Sequence, residues 1–211
     1  MRYRDAGVAR DYDQLRQTGW VRRRREAMMR RLLARGLAGL APGSLVLDVP
    51  CGTGRITPWL AARGLRVIGA DLSRDMLGEA QAKVAGVRGC LGLLVGDAAQ
   101  LPFADQSLDA ALLVRFLHLV EDAERVPLFR ELSRVVRGRV LLHVGLQAWT
   151  AKRLLRRVRG VPLKPVKVQW KPLLAQLEEG GLRVERVHRK LPFASTSVVV
   201  VCRPAHSVQG A

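Results

Sequence analysis

A chain of 211 residues with 48% apolar side chains suits one α/β domain with a substantial core, and argues against a disordered chain or two full domains. Its longest apolar runs, such as residues 198–202, have the length of a strand and fall far short of a membrane span. The net charge of +18 sits mainly in residues 1–40 (11 Lys/Arg, four Asp/Glu) and 150–172 (eight Lys/Arg, no acid), which implies two basic faces rather than a uniform bias.

Residues 10–40 read as one or two helices forming an N-terminal cap, because Val21, Ala27, Met28, Leu32 and Leu33 recur at roughly helical spacing. Ala41-Pro42-Gly43-Ser44 breaks the pattern, and Leu45-Val46-Leu47 then suits a buried parallel strand. A helix over 55–63 stops at Gly64, a second strand follows over 66–70, and Ser73 can cap a helix running to Val84. Strands are expected at 91–95 and 108–114, then a helix over 122–135 capped by Asp122, then a strand at 139–144. A basic helix over 149–159, a Pro- and Lys-rich connector and a helix over 172–179 precede two closing strands, 183–187 and 195–202, joined like a hairpin. Seven strands alternating with helices predict an α/β, doubly wound sheet, mostly parallel, with an antiparallel strand at its C-terminal end. The expectation is a single domain over 1–211, with 1–40 as helical cap and 41–211 as α/β core.

The sharpest local signal is Leu45-Val46-Leu47-Asp48-Val49-Pro50-Cys51-Gly52-Thr53-Gly54-Arg55, a strand leading into a glycine turn that opens a helix. Such a turn lets backbone pass close to a ligand and presents unpaired N–H groups. Asp71 ends the next strand, 17 residues after Gly54, where a carboxylate can accept both ribose hydroxyls of an adenosine cofactor.

These residues resemble motif I of the class I methyltransferases that use S-adenosylmethionine (SAM), Asp/Glu-x-Gly-x-Gly-x-Gly. The resemblance continues through Gly69-Ala70-Asp71-Leu72-Ser73 with Met76-Leu77, and through Gly96-Asp97-Ala98. Leu101-Pro102-Phe103-Ala104-Asp105-Gln106-Ser107-Leu108-Asp109 is similar to a signature of the ubiquinone/menaquinone-biosynthesis type. It covers residues 45–145 and implies a Rossmann-like sheet, SAM as cofactor and methyl transfer as activity. By the same resemblance Asp48, Gly52 and Gly54 face the methionine part of SAM, with Pro50 and Cys51 in the same turn. Asp71 binds the ribose, Leu72 packs on the adenine, and Asp97, beside Ala98, accepts from the adenine amino group. Pro50 departs from the pattern, standing where the family often has its first glycine, and it removes an N–H there. An NAD-type turn would want a glycine at position 57, which is Thr57, and Asp48 would repel a pyrophosphate. SAM is cationic at its reacting end, so an acidic turn suits it.

Candidates for the transfer step come from position alone. His118, just past the fourth strand, either takes a proton from the acceptor or caps the next helix. His143, near the end of the fifth strand, is either a second such base or a satisfied core imidazole. Arg115 either anchors an acceptor anion or pairs with Asp48 or Asp109. No Asn/Asp-Pro-Pro-Tyr string follows the fourth strand, which argues against exocyclic amino-group methylation of bases. Pro50-Cys51 lies inside the glycine turn, where Cys51 reads as a small residue rather than a nucleophile.

The basic runs Arg22-Arg23-Arg24-Arg25 with Arg30 and Arg31, next to Trp20, and Lys152 to Lys171, beside Trp149 and Trp170, fall on elements expected to border the acceptor opening. They point to an anionic or lipid-like small acceptor, with peripheral contact to an anionic membrane surface. The alternatives are RNA as acceptor, held through its phosphates, and a SAM-binding regulatory or scaffold protein without catalysis. Three widely spaced cysteines (Cys51, Cys90, Cys202) without a CxxC pair imply reduced thiols and no metal site, and Met1-Arg2-Tyr3-Arg4-Asp5 lacks the apolar run of a secretory signal. The expected compartment is the cytoplasm.

Overall fold

The computed structural model describes residues 20–146, 168–189 and 197–208. In chain order these form α1 (Trp20–Gly36), β1 (Leu45–Asp48), α2 (Thr57–Ala61), β2 (Arg66–Asp71), α3 (Arg74–Val84), β3 (Cys90–Val95) and β4 (Leu108–Val114). Then follow α4 (Asp122–Val135), β5 (Val136–Gly145), α5 (Trp170–Glu179), β6 (Leu182–Arg189), β7 (Ser197–Pro204) and a 3-10 turn, Ala205–Val208. The expected basic helix at 149–159 and most of the second basic run lie outside the described residues. Among the described residues no helix is long and apolar enough to cross a membrane.

The seven strands form one sheet in the order β3-β2-β1-β4-β5-β7-β6. β1 to β5 pair in parallel, and β7 runs antiparallel to both β5 and β6. This is the doubly wound, Rossmann-like architecture the alternation predicts. Alternation along each strand divides the core between two faces. Leu47, Leu113 and Leu142 pack with Leu128, Phe129 and Leu132 of α4 and Leu173 of α5 on one side. Val46, Leu112, Leu141 and Val201 pack with Met29, Leu32 and Leu33 of α1 and Leu60 of α2 on the other. A sheet covered on both faces has continuous apolar strands, which is why Val198, Val199, Val200 and Val201 are all buried.

Boundaries differ from the sequence reading in instructive ways. Glu121, not Asp122, is the N-cap of α4. The Glu124 carboxylate accepts the Glu121 N–H at 3.4 Å, while Asp122, inside the helix, pairs with Arg125 at 2.5 Å. β5 begins at Val136 directly after α4, with no loop between them. Ser73 caps α3 as expected, its Oγ accepting the Met76 N–H at 3.3 Å. The chain leaves β1 toward β2 and β3, then returns to place β4 on β1's other side. That reversal opens a crevice at the carboxyl ends of β1, β2 and β4, where open α/β sheets bind ligands.

Candidate functional site

A cleft of about 540 Å³ occupies that crevice, within the usual size range of small-molecule sites. The turn after β1 forms its floor. Gly52 has φ of +54°, and a Cβ placed on it meets nothing within 4 Å, because the space beyond it is the cleft. Gly54 has φ of +70° for a different reason: its Cβ would meet Ala80 Cβ at 2.9 Å and Ala80 Cα at 3.0 Å. Gly54 therefore lets α3 pack against the turn and is not among the residues lining the cleft. Pro50 brings no N–H, and its neighbours carry the bonds instead. Val49 donates to the Leu112 carbonyl at 3.0 Å and Cys51 to the Ala70 carbonyl at 2.8 Å. The Val49–Pro50 peptide is cis.

Three of the carboxylates lining the cleft, Asp48, Asp71 and Asp97, stand at or just past the ends of β1, β2 and β3. Asp48 at the end of β1 is buried, and its Oδ2 accepts the Thr57 hydroxyl at 2.8 Å. Burial raises its pKa to about 7, opposed by the Thr57 bond and assisted by the nearby Asp71 charge. Asp71 ends β2, its Oδ2 accepting the Gly52 N–H at 2.8 Å and its Oδ1 the Ser73 N–H at 2.9 Å. Its pKa is also raised by burial, against the pull of those N–H groups. Asp97 is exposed, with Oδ1 accepting the Ala99 N–H at 2.9 Å, and Ala98 beside it is buried against the cleft. Leu72 is 46% exposed at the cleft edge, an apolar side chain open to an aromatic ring. Burial, and then the Asp48 and Asp71 charges, push the Cys51 thiol far up. It is held as a thiol, which agrees with a packing role.

The chemistry of this donor set fits SAM. Buried carboxylates at a glycine turn favour a cationic ligand, and an acid whose lone pairs face a cleft can accept ribose hydroxyls. When bound, SAM supplies an electrophilic methyl group on a sulfonium.

The opposite wall comes from α1 and the loop after β4. Glu26 and Met29 reach the cleft from α1. Glu26 pairs with Arg30 at 2.8 Å and with Arg55 of the turn, while Arg30 also donates to the Arg55 carbonyl at 3.2 Å. The sequence reading missed Glu26 and Arg55 as cleft residues, although Glu26 is conspicuous as the one acid in an arginine-rich helix. After β4, Arg115, Phe116, Leu119 and Val120 line the wall with Glu124 of α4. Arg115 adopts φ of +59°, and its N–H donates to the His143 carbonyl at 3.1 Å. The buried Arg125 holds this loop from behind, donating from Nη2 to the Leu117 carbonyl at 3.0 Å and the Val120 carbonyl at 3.1 Å.

Of the three residues singled out for transfer, Arg115 lines the cleft, and His118 and His143 are not among its lining residues. His118 is exposed in the same loop. His143 is buried under the sheet's end, its Nε2 sharing a 2.8 Å hydrogen bond with Ser197 Oγ. Burial, and then the charges of Arg115 and His118, lower its pKa to about 4.

Comparison with known proteins supports the methyltransferase family and the fold. A family model described as a methyltransferase domain matches residues 46–139. The demethylmenaquinone methyltransferase of Thermobifida fusca is 39% identical over 103 residues, covering 47% of this chain and 43% of that protein. The chain thus spans under half the length of that curated relative. A candidate methyltransferase of Encephalitozoon cuniculi is 33% identical over 159 residues, covering 72% of this chain and 69% of that protein. Among solved structures, magnesium protoporphyrin IX methyltransferase from Synechocystis PCC 6803 with bound SAM superposes with a TM-score of 0.68 at 22% identity, covering 96% of this chain and 99% of that chain.

Proposed function

The chain belongs to the class I SAM-dependent methyltransferases, and we propose that it methylates a small, apolar acceptor bearing an acidic or anionic group. The observation that carries this reading is the contrast between the two walls of the cleft. One wall holds the carboxylates Asp48, Asp71 and Asp97, and the other combines the cation Arg115 with the apolar Phe116, Leu119 and Val120, its acids Glu26 and Glu124 being engaged by Arg30 and Arg55 and by the Glu121 N–H. A cationic cofactor suits the first wall, and an apolar body with one negative group suits the second. Quinone-derived rings meet that description, and the naming of the Thermobifida fusca relative after demethylmenaquinone supports the class.

In this reading Asp71 orients the cofactor's ribose, Leu72 covers its adenine and Asp97 accepts from the adenine amino group. Arg115 holds the acceptor's charged oxygen, which raises the ionised fraction of that group at neutral pH. Phe116, Leu119 and Val120 exclude water, and holding both partners in line can supply about 7–11 kcal/mol of barrier lowering. An acceptor already ionised needs no base. His118, three residues beyond Arg115, is the group in the same loop that could take a proton from a neutral acceptor. His143, neutral and bonded to Ser197, fits the alternative of a packed core imidazole.

The direct test is transfer of labelled methyl from SAM, with the purified full chain, into lipid, small-metabolite, RNA and protein fractions of a cell extract. Label in the lipid or small-metabolite fraction supports the proposal. Label in RNA or protein, or SAM left unconsumed with every fraction, overturns it.

A further inference from the structure

The outward face of α1 is a row of arginines for which no acidic partner stands among the described residues. On a helical projection Met29, Leu32, Leu33 and Gly36 point into the core, while Trp20, Arg24, Arg31 and Arg35 lie together on the far side. Trp20 is 63% exposed, and the Arg24 guanidinium stacks over its ring at 4.3 Å from the centroid. From Trp20 to Arg35 the row runs about 22 Å at the helical rise. The positive charge continues onto β6, where Arg186 and Arg35 both act on His188, whose imidazole is held below its ordinary pKa by burial first and by these two charges second.

Local energetics oppose this arrangement. The first turn of α1 carries arginines and no acid, against the helix dipole, and Arg31 and Arg35 are a like-charged pair one turn apart. The one acid of α1, Glu26, faces the cleft and is engaged there by Arg30 and Arg55. Among the described residues no acid is paired with the outer row, which leaves a face of uncompensated positive charge.

We propose that the outward face of α1, with Trp20, Arg24, Arg31 and Arg35, docks the protein on an anionic lipid surface and holds the cleft beside it. The occupant follows from the chemistry of the face. A convex helix with its cations in a row matches a plane of delocalised negative charge, and an exposed indole suits the lipid–water boundary. RNA is less well matched, since single strands are gripped on successive aromatic platforms and α1 offers one aromatic residue, Trp20. The inference rests on the apolar acceptor proposed above, which would partition into such a surface.

The test is co-sedimentation of the full chain with phosphatidylcholine vesicles, with and without about 30 mol% phosphatidylglycerol. The wild type should pellet with the anionic vesicles, remain soluble with the neutral ones, and be released by salt. Arg24→Gln/Arg31→Gln/Arg35→Gln should bind on the order of a hundred-fold more weakly, about five-fold per arginine, and Trp20→Ala should lower binding further. The triple variant should bind SAM like the wild type in calorimetry, which shows that it folds. Wild-type partitioning that ignores phosphatidylglycerol, a triple variant that pellets like the wild type, or tighter binding to single-stranded RNA than to the vesicles each overturns the proposal. No acceptor enters this assay, so its failure is separable from failure of the methyl-transfer reading.

Discussion

The Gly52 N–H donates to Asp71 Oδ2 at 2.8 Å, so the glycine turn after β1 and the acid that closes β2 are joined by one hydrogen bond. The Ser73 N–H occupies the other oxygen, and the carboxylate is fixed before any ligand arrives. Asp71→Ala removes both bonds and the proposed ribose acceptor together. Its SAM affinity should fall at least a hundred-fold by calorimetry, two charge-assisted bonds being worth roughly 1.5–3 kcal/mol each. Binding within a few-fold of wild type would assign the ribose elsewhere.

The two glycines of the turn should fail in different ways. Gly54→Ala drives a methyl into Ala80 at 2.9 Å, at a backbone angle unfavourable for alanine, so its melting temperature should fall with a loss of about 2–5 kcal/mol, the strain and the overpacking together. Gly52→Ala meets no protein atom within 4 Å and should lose only about 1–2 kcal/mol from its left-handed backbone. Its methyl enters the cleft, so the defect should be in SAM affinity. Thermal melts with and without SAM separate the two. Equal effects on both readouts would contradict the division of roles.

Asp48 sets a pH dependence with a definite sign. Its folded pKa near 7 lies above the ordinary value of 3.8, so the folded state holds a proton that the unfolded state releases earlier. Its contribution to stability is fully present below pH 3.8, declines as pH rises toward 7 and is flat above that. Asp48→Asn should lose this slope and be at least as stable as the wild type at about pH 8. A cationic ligand favours the ionised form, so wild-type SAM affinity should rise between about pH 6 and 8, and the variant should show no such rise. Parallel melts and titrations across that range check both statements.

Arg115 is expected to act on the acceptor alone. Arg115→Gln should raise the acceptor KM at least ten-fold while leaving SAM affinity within two-fold, an interaction with a charged group being worth about 1.5–3 kcal/mol. His118→Ala should lower kcat without moving either affinity if a neutral acceptor is deprotonated there. A loss of SAM binding in Arg115→Gln would place this side chain on the cofactor instead.

Much of this site is legible in the sequence because its determinants are local. Asp48, Gly52 and Asp71 each end or follow a strand, and a strand, a glycine turn and a second acid-terminated strand are readable from neighbours a few residues apart. The cap of α4 was displaced by one residue because Glu121 and Asp122 are both acids, and only backbone angles decide which one stops the helix. The motif assigns Gly54 to the ligand because it holds both glycines, whereas Ala80, 26 positions away, determines what Gly54 is for. Glu26 and Arg55 escaped notice for a similar reason. Their pairing across 29 residues depends on how α1 settles on the sheet, and local periodicity carries no record of that docking. The insertion of β7 between β5 and β6 is likewise a matter of tertiary pairing, while the hairpin itself was visible.

The most direct measurement is a crystal structure of the full chain grown with S-adenosylhomocysteine. The account predicts the ribose hydroxyls within hydrogen-bonding distance of the Asp71 carboxylate, the adenine against Leu72 with its amino group toward Asp97, and the sulfur above Gly52, directed at Arg115 and Phe116. A nucleoside bound away from Asp71, or a turn that stays empty at saturating ligand, would contradict it.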